Sequence, residues 1–176
     1  MSDSRRNFLL KSFSATSAAW LTANWPAQVA AAEKAQAMGN FTYFTREQAQ
    51  DVDAMAAQIY PTTDTPGARE AQVIYFIDLA LVTFAQDKQD IYKQGLADLG
   101  SHTGGQRFAA LPSDQQIAVL TSIEKTPFFK TVRDHTIMGM FASPQHGGNF
   151  KKVGWTQIGY DDSLNFRAPF GAYDKA

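Results

Sequence analysis

The chain has 176 residues, 44% of them hydrophobic and 19% charged, with a formal charge of −1. That length suits one globular domain rather than two, and the near-neutral charge excludes the Lys and Arg surplus that a nucleic-acid backbone selects for. No cysteine is present, which excludes disulfides, covalently attached haem, cysteine-held iron–sulfur clusters and a lipidated cysteine, so stability has to come from an apolar core.

Residues 1–32 read as an address. Ser4-Arg5-Arg6-Asn7-Phe8-Leu9-Leu10-Lys11 pairs two arginines with apolar positions, and a modest apolar run continues to Trp20 and Leu21. Small residues at Ala27 and at Ala30, Ala31 and Ala32 then offer a cleavage site before Glu33. This is the layout of an export signal, and the adjacent Arg5 and Arg6 point to the twin-arginine pathway. A membrane anchor is the competing reading, but the run is short for spanning and broken by Ser and Thr. The twin-arginine route carries folded proteins, so a small chain with such a signal is either a cofactor carrier or the escort of one. The remainder, 33–176, is expected to be one helical domain, soluble and mildly acidic, in the periplasm.

A short aromatic segment from Phe41 to Phe44 precedes Thr45, which with Gln48 fits a capping box. The helix so opened runs to about residue 60 with Val52, Met55, Ala56 and Ile59 on one face, and Pro61 stops it. Turn formers fill Pro61-Thr62-Thr63-Asp64-Thr65-Pro66-Gly67, whose side chains can bond their own backbone and make a rigid loop. Residues 68 to about 86 leave almost no polar face, which predicts a central helix surrounded by protein, with Asp78 its one embedded charge, satisfied by neighbouring donors. A more polar helix follows over 87–101 on a stripe of Ile91, Tyr92, Leu96 and Leu99, and His102 lies at its C-terminal end. Ser113 and Gln116 form a second capping box, opening a helix to about residue 125 with Ile117, Leu120 and Ile123 inward. Thr126-Pro127 restarts the chain with an N-cap and a first-turn proline. The helix beyond carries Phe128, Phe129, Val132, Thr136, Ile137 and Met140 towards the core. These segments predict an all-α fold, a compact bundle of about five helices followed by a long irregular, aromatic-rich C-terminal segment.

Chemistry is sparse in this pattern. The histidines, His102, His135 and His146, have no metal-ligand spacing, and no nucleophile elbow, phosphate loop or dinucleotide fingerprint occurs. The residues therefore offer no catalytic set, no metal set and no cofactor site of the chain's own. Attention falls instead on 135–160, where a helix end, a Gly147-Gly148-Asn149 turn and the large residues Trp155, Ile158 and Tyr160 follow each other. Glycines there allow positive φ and close backbone approach. Phe141, Phe150, Trp155, Tyr160, Phe166, Phe170 and Tyr173 lie outside helical spacing. They either fold back over the bundle or anchor another protein, since aromatics are favoured at interface cores. Residues 163–176 read as a tail that needs a surface to lie on, a partner's included.

Thr63-Asp64-Thr65-Pro66-Gly67-Ala68, leading into an apolar helix, is similar to a signature of the gluconate 2-dehydrogenase subunit 3 family. So is Gly139-Met140-Phe141-Ala142-Ser143-Pro144-Gln145-His146-Gly147-Gly148-Asn149, followed by Gly154-Trp155 and Ile158-Gly159-Tyr160. His146 stands where a tyrosine is common in the family, and Asp161-Asp162 replaces the usual small or turn-forming residues. The resemblance implies a small, non-catalytic subunit holding no cofactor itself. Its partners would be a large FAD-dependent dehydrogenase of the glucose-methanol-choline type, a cytochrome c subunit carrying haem, and the twin-arginine translocase. The candidate partner interface is His146, Gly147, Gly148, Asn149, Trp155, Tyr160, Phe166 and Phe170. The alternative is a free-standing periplasmic enzyme or ligand-binding domain that uses the His146 loop.

Overall fold

The computed structural model describes residues 39–162; residues 1–32, expected to be an export signal with Arg5 and Arg6, and 163–176, expected to be a tail with Phe166 and Phe170, lie outside the described residues. Six helices form among those described, and no strand: α1 (Arg46–Ile59), α2 (Val73–Val82), α3 (Gln89–His102), α4 (Ser113–Ile123), α5 (Pro127–Phe141) and the short α6 (Val153–Gln157). The all-α bundle is as the sequence predicts, with one short helix more, because α6 arises inside the stretch expected to be irregular.

The helix starts follow local chemistry where side chains are free to cap. Gln48 N–H donates to Thr45 Oγ1 at 3.2 Å, and Thr45 N–H donates back to Gln48 Oε1 at 3.0 Å. Caps of this kind are worth about 1 kcal/mol. Thr126 accepts from Phe129 N–H ahead of Pro127 in the first turn of α5. The second capping box does not form. Pro112 takes the cap position instead. Gln58 of α1 donates to both Ser113 Oγ and Gln116 Oε1, and Gln116 donates to the Phe108 carbonyl. A bond between elements replaces the local one.

α2 is the centre of the bundle, packed on α5 and on α1. Eight of its residues are buried, from Val73 to Leu81 and including Asp78. Full burial of a side chain such as Phe76 or Ile77 contributes about 2 kcal/mol. It is shorter than the nineteen-residue run expected over 68–86. Gln72, at φ +54, turns the chain left-handed just before it. At the other end the Thr83 hydroxyl donates to the Leu79 carbonyl, and the backbone leaves helical geometry there. Phe84, within the span expected to be helical, consequently lies outside the helix and is exposed.

Two further positions differ from the periodicity. Ile117 and Ile137, expected inward, face outward at 53% and 43% exposure, while Val119 takes an inward place on α4. The stripes on α4 and α5 are therefore narrower on the core side than the apolar count suggests, and apolar surface is left on the outside. Asp78 is satisfied as expected. Its carboxylate accepts the backbone N–H groups of Thr42, Tyr43 and Phe44 at 2.7, 2.9 and 3.0 Å, tying the aromatic segment 41–44 to the middle of α2.

Candidate functional site

The last four carbonyls of any α-helix lack partners within it and need them from elsewhere. At the end of α5 the loop 142–155 supplies donors to three of them. Ala142 N–H donates to the Met138 carbonyl at 2.7 Å, and Asn149 N–H to the Gly139 carbonyl at 2.8 Å. The Trp155 indole N–H donates to the Phe141 carbonyl at 2.7 Å. Asn149 does more than this. Its side-chain amide donates to the Ala142 carbonyl at 3.0 Å, and its Oδ1 accepts Gly154 N–H at 2.8 Å. Asn149 is completely buried and holds φ +47. Asn is among the few residues that adopt that conformation at little cost.

The glycines serve the same approach. A Cβ on Gly148 would lie 2.3 Å from the Gly139 carbonyl oxygen, and one on Gly154 would lie 1.9 Å from that of Met140. Gly147, at φ +94, presses its backbone on that of Tyr75 in the first turn of α2. Phe150 N–H then donates to the Ala71 carbonyl at 3.0 Å. The loop is thus wedged between the end of α5 and the start of α2. A second strap joins α6 to the first loop: Tyr60 Oη donates to Gln157 Oε1 at 2.9 Å, and Gln157 Nε2 donates to the Pro66 carbonyl at 2.6 Å. The two stretches that carry the family resemblance meet here in space.

The candidate interface residues divide accordingly. Gly147, Gly148 and Asn149 are interior, Trp155 and His146 are half-buried, and Tyr160 is exposed at 55%. The Trp155 and Tyr160 rings meet edge to face with centroids 5.0 Å apart. Lys152 Nζ lies 6.0 Å from the centre of the Trp155 ring and pairs with Asp162 at 2.7 Å. Ile158, beside them, is exposed at 61%, and Phe150, Ile137 and Met138 add further exposed apolar surface. Ile137, expected inward, and its neighbour Met138 are both exposed on α5. The sequence carried no signal for Gln157, which joins the two loops.

Burial holds the His146 imidazole below its ordinary pKa. Among the described residues no three His, Cys, Asp or Glu side chains converge to hold a metal ion. His135 is instead a core residue: its Nδ1 is 3.1 Å from Tyr92 Oη and its ring stacks on that of Tyr92, centroids 5.8 Å apart. Burial lowers the pKa of His135 and raises that of the Tyr92 hydroxyl well above its usual value. The arrangement is that of two neutral groups sharing a hydrogen bond. His102 lies 3.3 Å from Ser122 Oγ, across from α4 and on the surface.

Among the described residues the domain is all-α, with the loop wedged between its own helices and apolar side chains turned outward. The sequence profile of gluconate 2-dehydrogenase subunit 3 matches residues 46–162, and the chain belongs to that family, whose members are subunits of a dehydrogenase complex. No curated protein and no solved structure matches the chain. No helix among the described residues is long and apolar enough to cross a membrane.

Proposed function

We propose that the chain is the non-catalytic small subunit of a complex whose large subunit is an FAD-dependent dehydrogenase of the glucose-methanol-choline type, oxidising a sugar, a sugar acid or a related alcohol. Flavin and catalytic base belong to the large subunit in this reading, and a cytochrome c subunit or separate carrier takes the electrons. The small subunit assists maturation of the large one and, through Arg5 and Arg6, brings it into the periplasm by the twin-arginine translocase. The observation that carries the reading is the division within 135–160. Gly147, Gly148, Asn149 and the Trp155 indole N–H hold the loop to the chain's own helices, whereas Ile158, Tyr160 and Phe150 remain outward. Exposed apolar side chains grouped around an aromatic pair favour a protein neighbour.

Co-expression of the chain with the large subunit tests this. Ile158→Asp with Tyr160→Asp is expected to leave the melting temperature of the small subunit unchanged and to lower recovery of the complex at least tenfold. Arg5→Lys with Arg6→Lys is expected to keep the complex assembled and to abolish flavin-dependent activity in the periplasm. Full periplasmic activity with the arginine variant refutes the escort role, and undiminished assembly with the surface variant refutes the docking site.

A further inference from the structure

Three residues between Asn149 and Lys152 hold a left-handed backbone: φ is +47 at Asn149, +55 at Lys151 and +61 at Lys152. The bonds of the wedge fix the chain on either side. Phe150 N–H donates to the Ala71 carbonyl, Lys152 N–H to the Asn149 carbonyl at 2.8 Å, and Gly154 N–H to Asn149 Oδ1. Asn149 suits this conformation and uses its side chain within the loop. Lysine does not, because in this region Cβ crowds the following carbonyl, and only glycine, with occasional Asn or Asp, enters it freely. Where space is open the chain elsewhere takes the unstrained residue. Gly39, Gly104, Gly105 and Gly159 all have positive φ and nothing within 4 Å of an added Cβ. Lys151 and Lys152 are thus kept against the preference of the backbone, and strain of this kind collects at binding and switch segments.

The strained turn places charge at the edge of the outward apolar surface. Both lysines are exposed. Lys151 Nζ lies 5.3 Å from the centre of the Phe150 ring, and no carboxylate of the described residues pairs with it. Lys152 Nζ stands by the Trp155 ring and shares Asp162. Each ammonium group is therefore held at an aromatic ring, beside Ile158 and the Trp155–Tyr160 pair. We infer that Lys151 and Lys152 are the charged contacts of the docking surface, set to meet carboxylates on the large subunit that flank an apolar seat for Phe150, Ile158 and Tyr160. The inference rests on the docking reading above and adds the chemistry of the partner's face, acidic around an apolar centre. Charges at the rim of an interface steer association and fix register, which a rigid turn serves and a flexible one does not. A bilayer is the competing acceptor for lysines beside aromatics. Anionic lipid, however, is read by clusters of about four or more basic residues, and here Asp162 stands in the same patch.

Lys151→Gly with Lys152→Gly removes both charges and relieves the backbone. In the full chain alone it is expected to raise the melting temperature by about 3 °C. Co-expressed with the large subunit, the same variant is compared with the parent complex by mass photometry on dilution, at about 50 mM and about 500 mM sodium chloride. At the lower salt its dissociation constant is expected to be roughly tenfold above the parent's, and at the higher salt, where exposed charges are screened, within about threefold. Lys151→Arg with Lys152→Arg keeps the charges and should stay within about threefold of the parent at both salts. Equal affinity of the glycine variant and the parent at low salt overturns the inference, as does a deficit that salt leaves unchanged. A glycine variant no more stable than the parent overturns it too, since the lysines are then under no strain. Lysine-dependent binding of the chain to phosphatidylserine vesicles gives the pair to a membrane and likewise overturns it. Loss of this inference alone is separable from loss of the docking site: Ile158→Asp with Tyr160→Asp still disrupts the complex in the first case and spares it in the second.

Discussion

Replacing Asn149 by alanine isolates the contribution of the wedged loop. The substitution removes the acceptor for Gly154 N–H, a buried group, and the donor to the Ala142 carbonyl, a partly buried one. Leaving a buried donor or acceptor without a partner costs about 1–3 kcal/mol, and an alanine held at the left-handed φ of this position adds about 1 kcal/mol. The expected loss is roughly 3 kcal/mol, with the carbonyl counted at the low end because water can reach it. For a domain of this size that corresponds to a fall of about 10 °C in the melting temperature, measured by far-ultraviolet circular dichroism and checked by urea unfolding. Asn149→Gly loses the same two hydrogen bonds without the backbone strain, so it should melt a few degrees above Asn149→Ala. An alanine variant within about 3 °C of the parent, or a glycine variant less stable than the alanine one, would falsify the account of the loop.

Two glycine substitutions should move stability in opposite directions. Gly154→Ala puts a methyl group onto the Met140 carbonyl and should cost several degrees of melting temperature. Gly100→Ala, in α3 with nothing near the added methyl, should gain about 0.5–1 kcal/mol. Asp78→Asn keeps one acceptor oxygen and turns an amide towards one of the three N–H groups, so a loss of about 2 kcal/mol is expected. Faster hydrogen exchange at residues 42–44 should accompany it, and unchanged exchange there would sink the assignment. His135 gives a pH signature. Burial depresses its folded-state pKa, with Lys88 acting in the same direction against Asp134 and Asp87. Its contribution to stability is thus complete above the unfolded value of about 6.5 and declines as pH falls through the window below it. His135→Phe should flatten that part of a stability profile between pH 7 and 5, leaving the slope due to His146, whose shift has the same sign.

Local chemistry was legible wherever nothing distant competed with it. Thr45 with Gln48, Thr126 with Pro127, the buried α2 and the engaged Asp78 all follow from residues near in sequence or from strong apolarity. Two of the failures have a long-range partner. Ser113 and Gln116 have the spacing of a capping box, but Gln58 reaches them from α1. The expected first turns of α2 are replaced because the Ala71 carbonyl is taken by Phe150 N–H from across the molecule. Ile117 and Ile137 carry the right period and point the other way, since periodicity names a face without saying what covers it. In the candidate site the glycines were readable as points of close approach, but not the object approached: the Gly139 and Met140 carbonyls became apparent only in three dimensions. Asn149 shows the same limit. Its residue type suits a turn, yet its complete burial and its bonds to both Ala142 and Gly154 depend on the position of α5.

The grip of Asp78 on Thr42, Tyr43 and Phe44 has a mechanical meaning. Tension applied to the chain upstream of Phe41 is delivered through three hydrogen bonds to a carboxylate halfway along the innermost helix. Any machine that draws this protein by its N-terminal end therefore pulls on the centre of the bundle instead of peeling it from the edge.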